Sequence, residues 1–79
     1  MDVKHKVGRR IKELREQNQM SQKDLAYAAD LDRSYIAGIE NGQRNVAIMN
    51  IEKIAVALNS TVKQFFNSYD FDNITSSSR

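Results

Sequence analysis

Few side chains in this sequence could do covalent chemistry. There is no cysteine and only one histidine, His5, so no thiolate nucleophile, disulfide or Cys/His metal cluster can be assembled. Asp70 and Asp72 are close in sequence, but no second histidine or cysteine is available to complete a catalytic or metal site around them. No catalytic residue, metal or cofactor is therefore expected. The chemistry left is that of the guanidinium group. Arg33 heads the run "RSYIAGIE", in which Ile36 and Ile39 share the inner side of a helix while Arg33, Ser34, Ala37 and Gly38 stay outside. A helix face that is small apart from one charged fork can lie deep in the major groove of DNA, where arginine bonds guanine O6 and N7 together. Gly38 costs such a helix about 1 kcal/mol relative to alanine. Something must come close to it: DNA, the neighbouring turn or another helix.

The elements that must position this face are all helices, because proline is absent and apolar residues recur at steps of three and four. A first helix runs from about Lys4 to Asn18, with Val7, Ile11 and Leu14 on one stripe. Ser21 followed by Asp24 forms a capping-box pattern that starts a second helix, ending near Ala29. Asp30 and Leu31 make a turn, and Asp32 is placed to cap the third helix. Two helices joined so briefly must cross steeply, the helix-turn-helix pattern, with small Ala26 permitting the crossing and Leu31, Ile36 and Ile39 filling the angle. After the turn "NGQRN", a fourth helix from Ile48 to Leu58 points Ile51, Ile54, Ala55 and Leu58 inward. Thr61 with Gln64 repeats the capping box and opens a fifth helix through Val62, Phe65 and Phe66. The expectation is a single domain over residues 1–72. The remaining "NITSSSR", residues 73–79, has almost nothing to bury and is expected to be a disordered tail.

A formal net charge of +2 does not by itself specify nucleic acid. Lys4, Lys6, Arg9, Arg10, Lys12 and Arg15 crowd the first helix, where a solvated face explains them equally well. No run is long and apolar enough for a membrane span, and no signal-peptide core follows the start, so a cytoplasmic protein without a membrane partner is expected. A domain of this length buries only about 60% of its unfolded surface, so its core should lean on a partner. Phe65, Phe66, Tyr69 and Phe71 crowd one short C-terminal stretch, while Met49 and Val56 lie off the inward stripe of the fourth helix. Exposed apolar clusters mark interfaces, and a two-fold homodimer is the default assembly. Tyr69 and Phe71 could instead fold back over the core.

The stretch "SQKDLAYAADLDRSYIAGIENGQRN" resembles the phage-repressor type of helix-turn-helix domain, the Xre family. Its portion "LAYAADLDRSYIAGIENGQRN" is most similar to the controller proteins of restriction-modification systems. The resemblance spans roughly Val7 to Phe66 and implies a compact five-helix, lambda-repressor-like DNA-binding fold. It implies base reading by Arg33, Ser34 and Arg44. Ser21, Gln22, Tyr35, Gly38 and Asn45 would contact the DNA backbone or follow its shape. Arg15 and Glu40 match a structural ion pair between the first helix and the end of the third. Repressors of this type usually place glycine where Gln19 and Asp30 stand, because the backbone there has positive φ. Aspartate tolerates that conformation, and at the other site Asn18 is expected to adopt it instead.

These readings converge on a dimeric, sequence-specific regulator of transcription that binds a roughly palindromic duplex operator at its own restriction-modification promoter. Its two recognition helices would stand about 34 Å apart. No small-molecule substrate is expected. A phage immunity or antitoxin-type repressor is the alternative within the same class, and a protein-protein interaction module on the same fold is the alternative outside it.

Overall fold

The computed structural model describes residues 2–72. Its helices are α1 (Val3–Gln17), α2 (Gln22–Ala29), α3 (Arg33–Glu40), α4 (Ile48–Ala57), α5 (Val62–Phe65) and α6 (Tyr69–Asp72). The last, a single turn, is additional to the five helices read from the sequence. The proposed tail, residues 73–79, lies outside the described residues.

Side chains cap the starts of α1, α2 and α5. The Asp2 side chain accepts from His5 N at 3.0 Å, satisfying one of the donors that a helix N-terminus leaves free. Both capping boxes form: Ser21 Oγ accepts from Asp24 N while Asp24 returns the bond to Ser21 N, and Thr61 and Gln64 do the same. The α3 start differs from expectation, since Asp32 is the N-cap residue but its side chain makes no capping bond. Its backbone carbonyl carries that start alone, accepting from Ile36 N at 3.2 Å.

The ends of α1, α2, α3 and α4 share one device. Residues Gln19, Asp30 and Asn59 have φ near +58° to +59°, and Gly42 has φ +74°. Each is followed by an amide that reaches back five residues: Met20 N to Arg15 O, Leu31 N to Ala26 O, Ser60 N to Ala55 O, Gln43 N to Gly38 O. This is the Schellman ending, which satisfies carbonyls orphaned by the helix terminus. Gln19 itself therefore takes the left-handed conformation, not Asn18, whose φ is −89°. Asn18 is held by its own bonds, Nδ2 donating to Leu14 O at 2.8 Å and to Leu58 O at 3.2 Å.

The core is made of Val7 and Ile11 from α1, Leu25, Ala26 and Ala29 from α2, Ile36 and Ile39 from α3, Ile51, Ile54 and Ala55 from α4, Leu58 just beyond it, and Phe65 from α5. Helix α1 packs on α3, α2 on both α3 and α4, and α4 on α5. Helix α1 comes close to α3 at Gly8, where a Cβ would run into Ile39 O and stand 2.9 Å from Glu40 O. Both obstacles are backbone, so they cannot swing aside. The C-terminal stretch is tied to α1 by arginine: Arg10 Nε donates to Phe65 O at 2.6 Å and Nη2 to Gln64 O at 2.9 Å, capping the end of α5. Arg9 binds Asp70 with both Nε and Nη2, at 3.0 and 2.6 Å, and holds that carboxyl below its usual pKa.

Two glycine substitutions should move stability in opposite directions, read by urea unfolding. Gly8→Ala should destabilise by about 1–3 kcal/mol through the α1–α3 clash, despite its better helix propensity. Gln19→Gly should stabilise by about 1 kcal/mol by relieving left-handed strain. A more stable Gly8→Ala would contradict the close approach.

Candidate nucleic-acid interface

Leu31 N donates to Ala26 O at 2.9 Å across the left-handed Asp30, and this turn sets α3 across α2. Ile36 and Ile39 are buried beneath α3, which leaves Arg33 and Ser34 exposed at its N-terminal end and Ala37 and Gly38 half-buried further along. Arg44 and Asn45 are exposed in the loop that follows.

The two ends of this surface are fixed differently. At the C-terminal end of α3, Glu40 is gripped through both oxygens by Arg15, Nε at 2.8 Å and Nη2 at 3.1 Å. The pair is largely shielded, with side-chain exposures of 12% for Arg15 and 3% for Glu40. Arg15 Nη1 also donates to Met20 O at 2.8 Å, and Gln22 Nε2 donates to Glu40 Oε1 at 3.1 Å. Hydrogen bonding to Glu40, aided by its charge, raises the Arg15 pKa against the opposing effect of burial. One carboxylate thus joins α1, the start of α2 and the end of α3.

The loop end is held by contact instead of charge. The Arg44 guanidinium carbon lies 5.7 Å from the centroid of the Tyr35 ring. A Cβ on Gly38 would stand 2.6 Å from Arg44 Cγ, so the missing side chain makes room for the arginine stem. Of the possibilities for Gly38, the neighbouring turn is the one found within the chain. Tyr35, half-buried, accepts a hydrogen bond at Oη from Asn50 Nδ2 at 3.0 Å. Asn50 had no visible role in the sequence, because an asparagine in the first turn of α4 carries no signal of a tyrosine partner fifteen residues away.

The arginines divide sharply. Arg9, Arg10 and Arg15 all bond to protein carboxylates or carbonyls. Among the described residues, Arg33 and Arg44 donate no hydrogen bond and enter no ion pair, so their guanidinium donors face solvent. Ser21 and Gln22 are partly committed: Ser21 Oγ accepts from Asp24 N and Gln22 Nε2 donates to Glu40. Each still has a free donor, the hydroxyl proton and the second amide proton.

The apolar surface corrects the sequence reading at one point. Phe65 is fully buried and cannot touch a second chain. Phe66 and Phe71 are half-buried, stacked edge to face with centroids 4.9 Å apart, so Phe71 does fold back towards the core. Met49 (73% exposed), Val56 (66%) and Tyr69 (82%) remain outside, joined by Ile48 (66%). Ile48, Met49, Glu52 and Val56 share one face of α4; Ile48 stands three residues before Ile51 and seven before Ala55, at the edge of the inward stripe, so the helical period alone does not mark it as exposed. No helix among the described residues is long and apolar enough to cross a membrane.

A helix-turn-helix family model matches residues 11–65. Control protein C.MunI of Mycoplasma sp is 41% identical over 70 residues, covering 87% of this chain and 95% of that protein. The solved restriction-modification controller protein C.AhdI of Aeromonas hydrophila is 46% identical, with a TM-score of 0.77 over 80% of this chain and 96% of its own. The controller protein C.Esp1396I, solved as a tetramer in complex with its natural 35 base-pair operator, is 41% identical, with a TM-score of 0.79 over 84% of this chain and 87% of its own.

Glu40→Ala should lower stability by about 3 kcal/mol, because it strands a shielded guanidinium. The Arg15→Met/Glu40→Leu double variant should recover much of that loss. Equilibrium unfolding of the three proteins measures both; a Glu40→Ala variant within about 0.5 kcal/mol of wild type would mean that the pair behaves as a surface ion pair.

Proposed function

The chain belongs to the helix-turn-helix family of restriction-modification controller proteins, and from this premise we propose that it is a dimeric, sequence-specific DNA-binding regulator of transcription acting on its own restriction-modification promoter. It is a binding protein and not an enzyme. The observation that carries this reading is the division of the arginines: the two left without hydrogen-bond or ion-pair partners among the described residues are those at the start of α3 and in the loop after it.

Arg33 and Arg44 read base edges, and Ser34 contributes from the same exposed end of α3. Ser21 and Gln22 use their remaining donors on phosphate oxygens, while Asn45 and the Tyr35 edge border the backbone. Gly38 shapes this face by making room for Arg44. Phosphate contacts fix position on the duplex and base contacts supply specificity, so both kinds are needed. One eight-residue recognition helix offers little discrimination alone. A second copy, meeting through Ile48, Met49 and Val56 on α4 with Tyr69 and the exposed parts of Phe66 and Phe71, doubles it on a roughly palindromic operator. Residues 1–72 act as one DNA-binding and dimerisation domain, and the place of action is the cytoplasm, where the DNA is.

Binding to duplexes with single base-pair changes tests this reading. Arg33→Ala should cost about 1–3 kcal/mol on the preferred site and relax preference at one position of each half-site. Gln22→Ala should weaken preferred and altered duplexes alike. Unchanged base preference in Arg33→Ala would remove α3 from the reading of bases, and an absence of salt-dependent DNA binding would favour a protein-interaction role.

A further inference from the structure

Arg44 is an exposed loop residue whose guanidinium makes no hydrogen bond or ion pair among the described residues, yet three groups define where it lies. Its stem occupies the space left by Gly38, and its head lies over the Tyr35 ring. The ring's far end is bonded to Asn50 of α4, with Nδ2 to Oη at 3.0 Å. A tyrosine ring with a bonded hydroxyl is restrained in position as well as in its plane, so the platform under Arg44 is anchored to α4. Asn50 is half-buried, and that bond gives its amide a role within the protein.

We propose that Asn50 is a positioning residue for base recognition: by holding the Tyr35 ring, it aims Arg44 at one base pair of each half-site without touching that base. This rests on the reading in which Arg44 meets a base edge. Long flexible side chains lose freedom when they bind, and a stacked, pre-aimed guanidinium has less to lose. The anchoring reaches discrimination only through Arg44, so its effect is confined to the position that Arg44 reads. A phosphate contact or a general stability role would act on every duplex.

Full-length wild type, Asn50→Leu, Tyr35→Phe, Arg44→Ala and the Asn50→Leu/Arg44→Ala double variant would be titrated against the preferred duplex and a set altered at each base pair. Arg44→Ala locates the position whose discrimination depends on that arginine. Asn50→Leu should lose about two- to five-fold of the discrimination at that position and leave other positions unchanged, the range expected from an exposed cation–π contact. Tyr35→Phe removes the same hydrogen bond, and because the Tyr35 edge also borders the backbone its discrimination at that position is taken relative to its own binding of the other duplexes; that ratio should fall likewise, and it decides the matter if Asn50→Leu does not fold. The double variant should match Arg44→Ala at that position. Uniform weakening on all duplexes, or an Asn50→Leu effect that persists without Arg44, would overturn the inference while leaving Arg44 as a base reader. If Arg44→Ala kept all base discrimination, the assignment of Arg44 would itself fall, and the inference with it.

Discussion

The largely shielded contact between Arg15 and Glu40 is the constraint on which the geometry of the exposed α3 face depends. Apolar packing of Ile11, Leu25, Ile36 and Ile39 holds the helices together but is non-directional, and small rotations of α3 would cost it little. A shielded ion pair behaves otherwise, because desolvated charges tolerate few geometries. Glu40 uses both oxygens on Arg15 and accepts a further bond from Gln22, while Arg15 also donates to Met20 O. The last residue of α3 is thereby registered against α1 and the beginning of α2. Gly8 works with this node, letting the α1 backbone approach the carbonyls of Ile39 and Glu40.

That rigidity allows the rest of the surface to be chemically open. Arg33 and Arg44 face solvent at opposite ends of the α3 region, the first at the start of the helix and the second seated over Tyr35. Gln22 links scaffold and surface: one amide proton serves Glu40 and the other is uncommitted, which under the proposed reading makes it available to a phosphate. Under that reading any shift of α3 would be felt by the backbone contact and the base contacts together, which would keep positioning and reading in register. The exposed face of α4, Ile48, Met49 and Val56, is apolar and bears no hydrogen-bonding side chain apart from Glu52. It suits the joining of two such readers.

Much of this was legible in the sequence, for reasons that can be named. Helix starts at Ser21 and Thr61 were readable because a capping box is a local pattern whose two bonds close within four residues. The helix-turn-helix followed from periodicity and a short connection. The Arg15–Glu40 pair came from family resemblance alone, since twenty-five residues separate the partners and no spacing rule joins them. Other features depend on tertiary contacts and left no local trace. Gly38 is the anomalous glycine of the sequence, but the glycine that meets the backbone of another helix is Gly8, and only the crossing of α1 over α3 reveals it. Phe65 could not be separated from its aromatic neighbours until α5 turned it under α4, and α6 exists as a packed turn because Arg9 and Phe66 receive Asp70 and Phe71. The left-handed Gln19 shows the limit of residue preference: the Schellman bond from Met20 to Arg15 fixes the conformation whatever side chain is present.

A face registered this rigidly should read DNA as a two-fold pair. Selection of bound duplexes from a random DNA pool at near-physiological salt tests it most directly. A two-fold reader should enrich a motif with two-fold symmetry whose half-sites are centred about one helical turn apart. Failure to enrich any sequence, or enrichment of a single unpaired half-site, would contradict it.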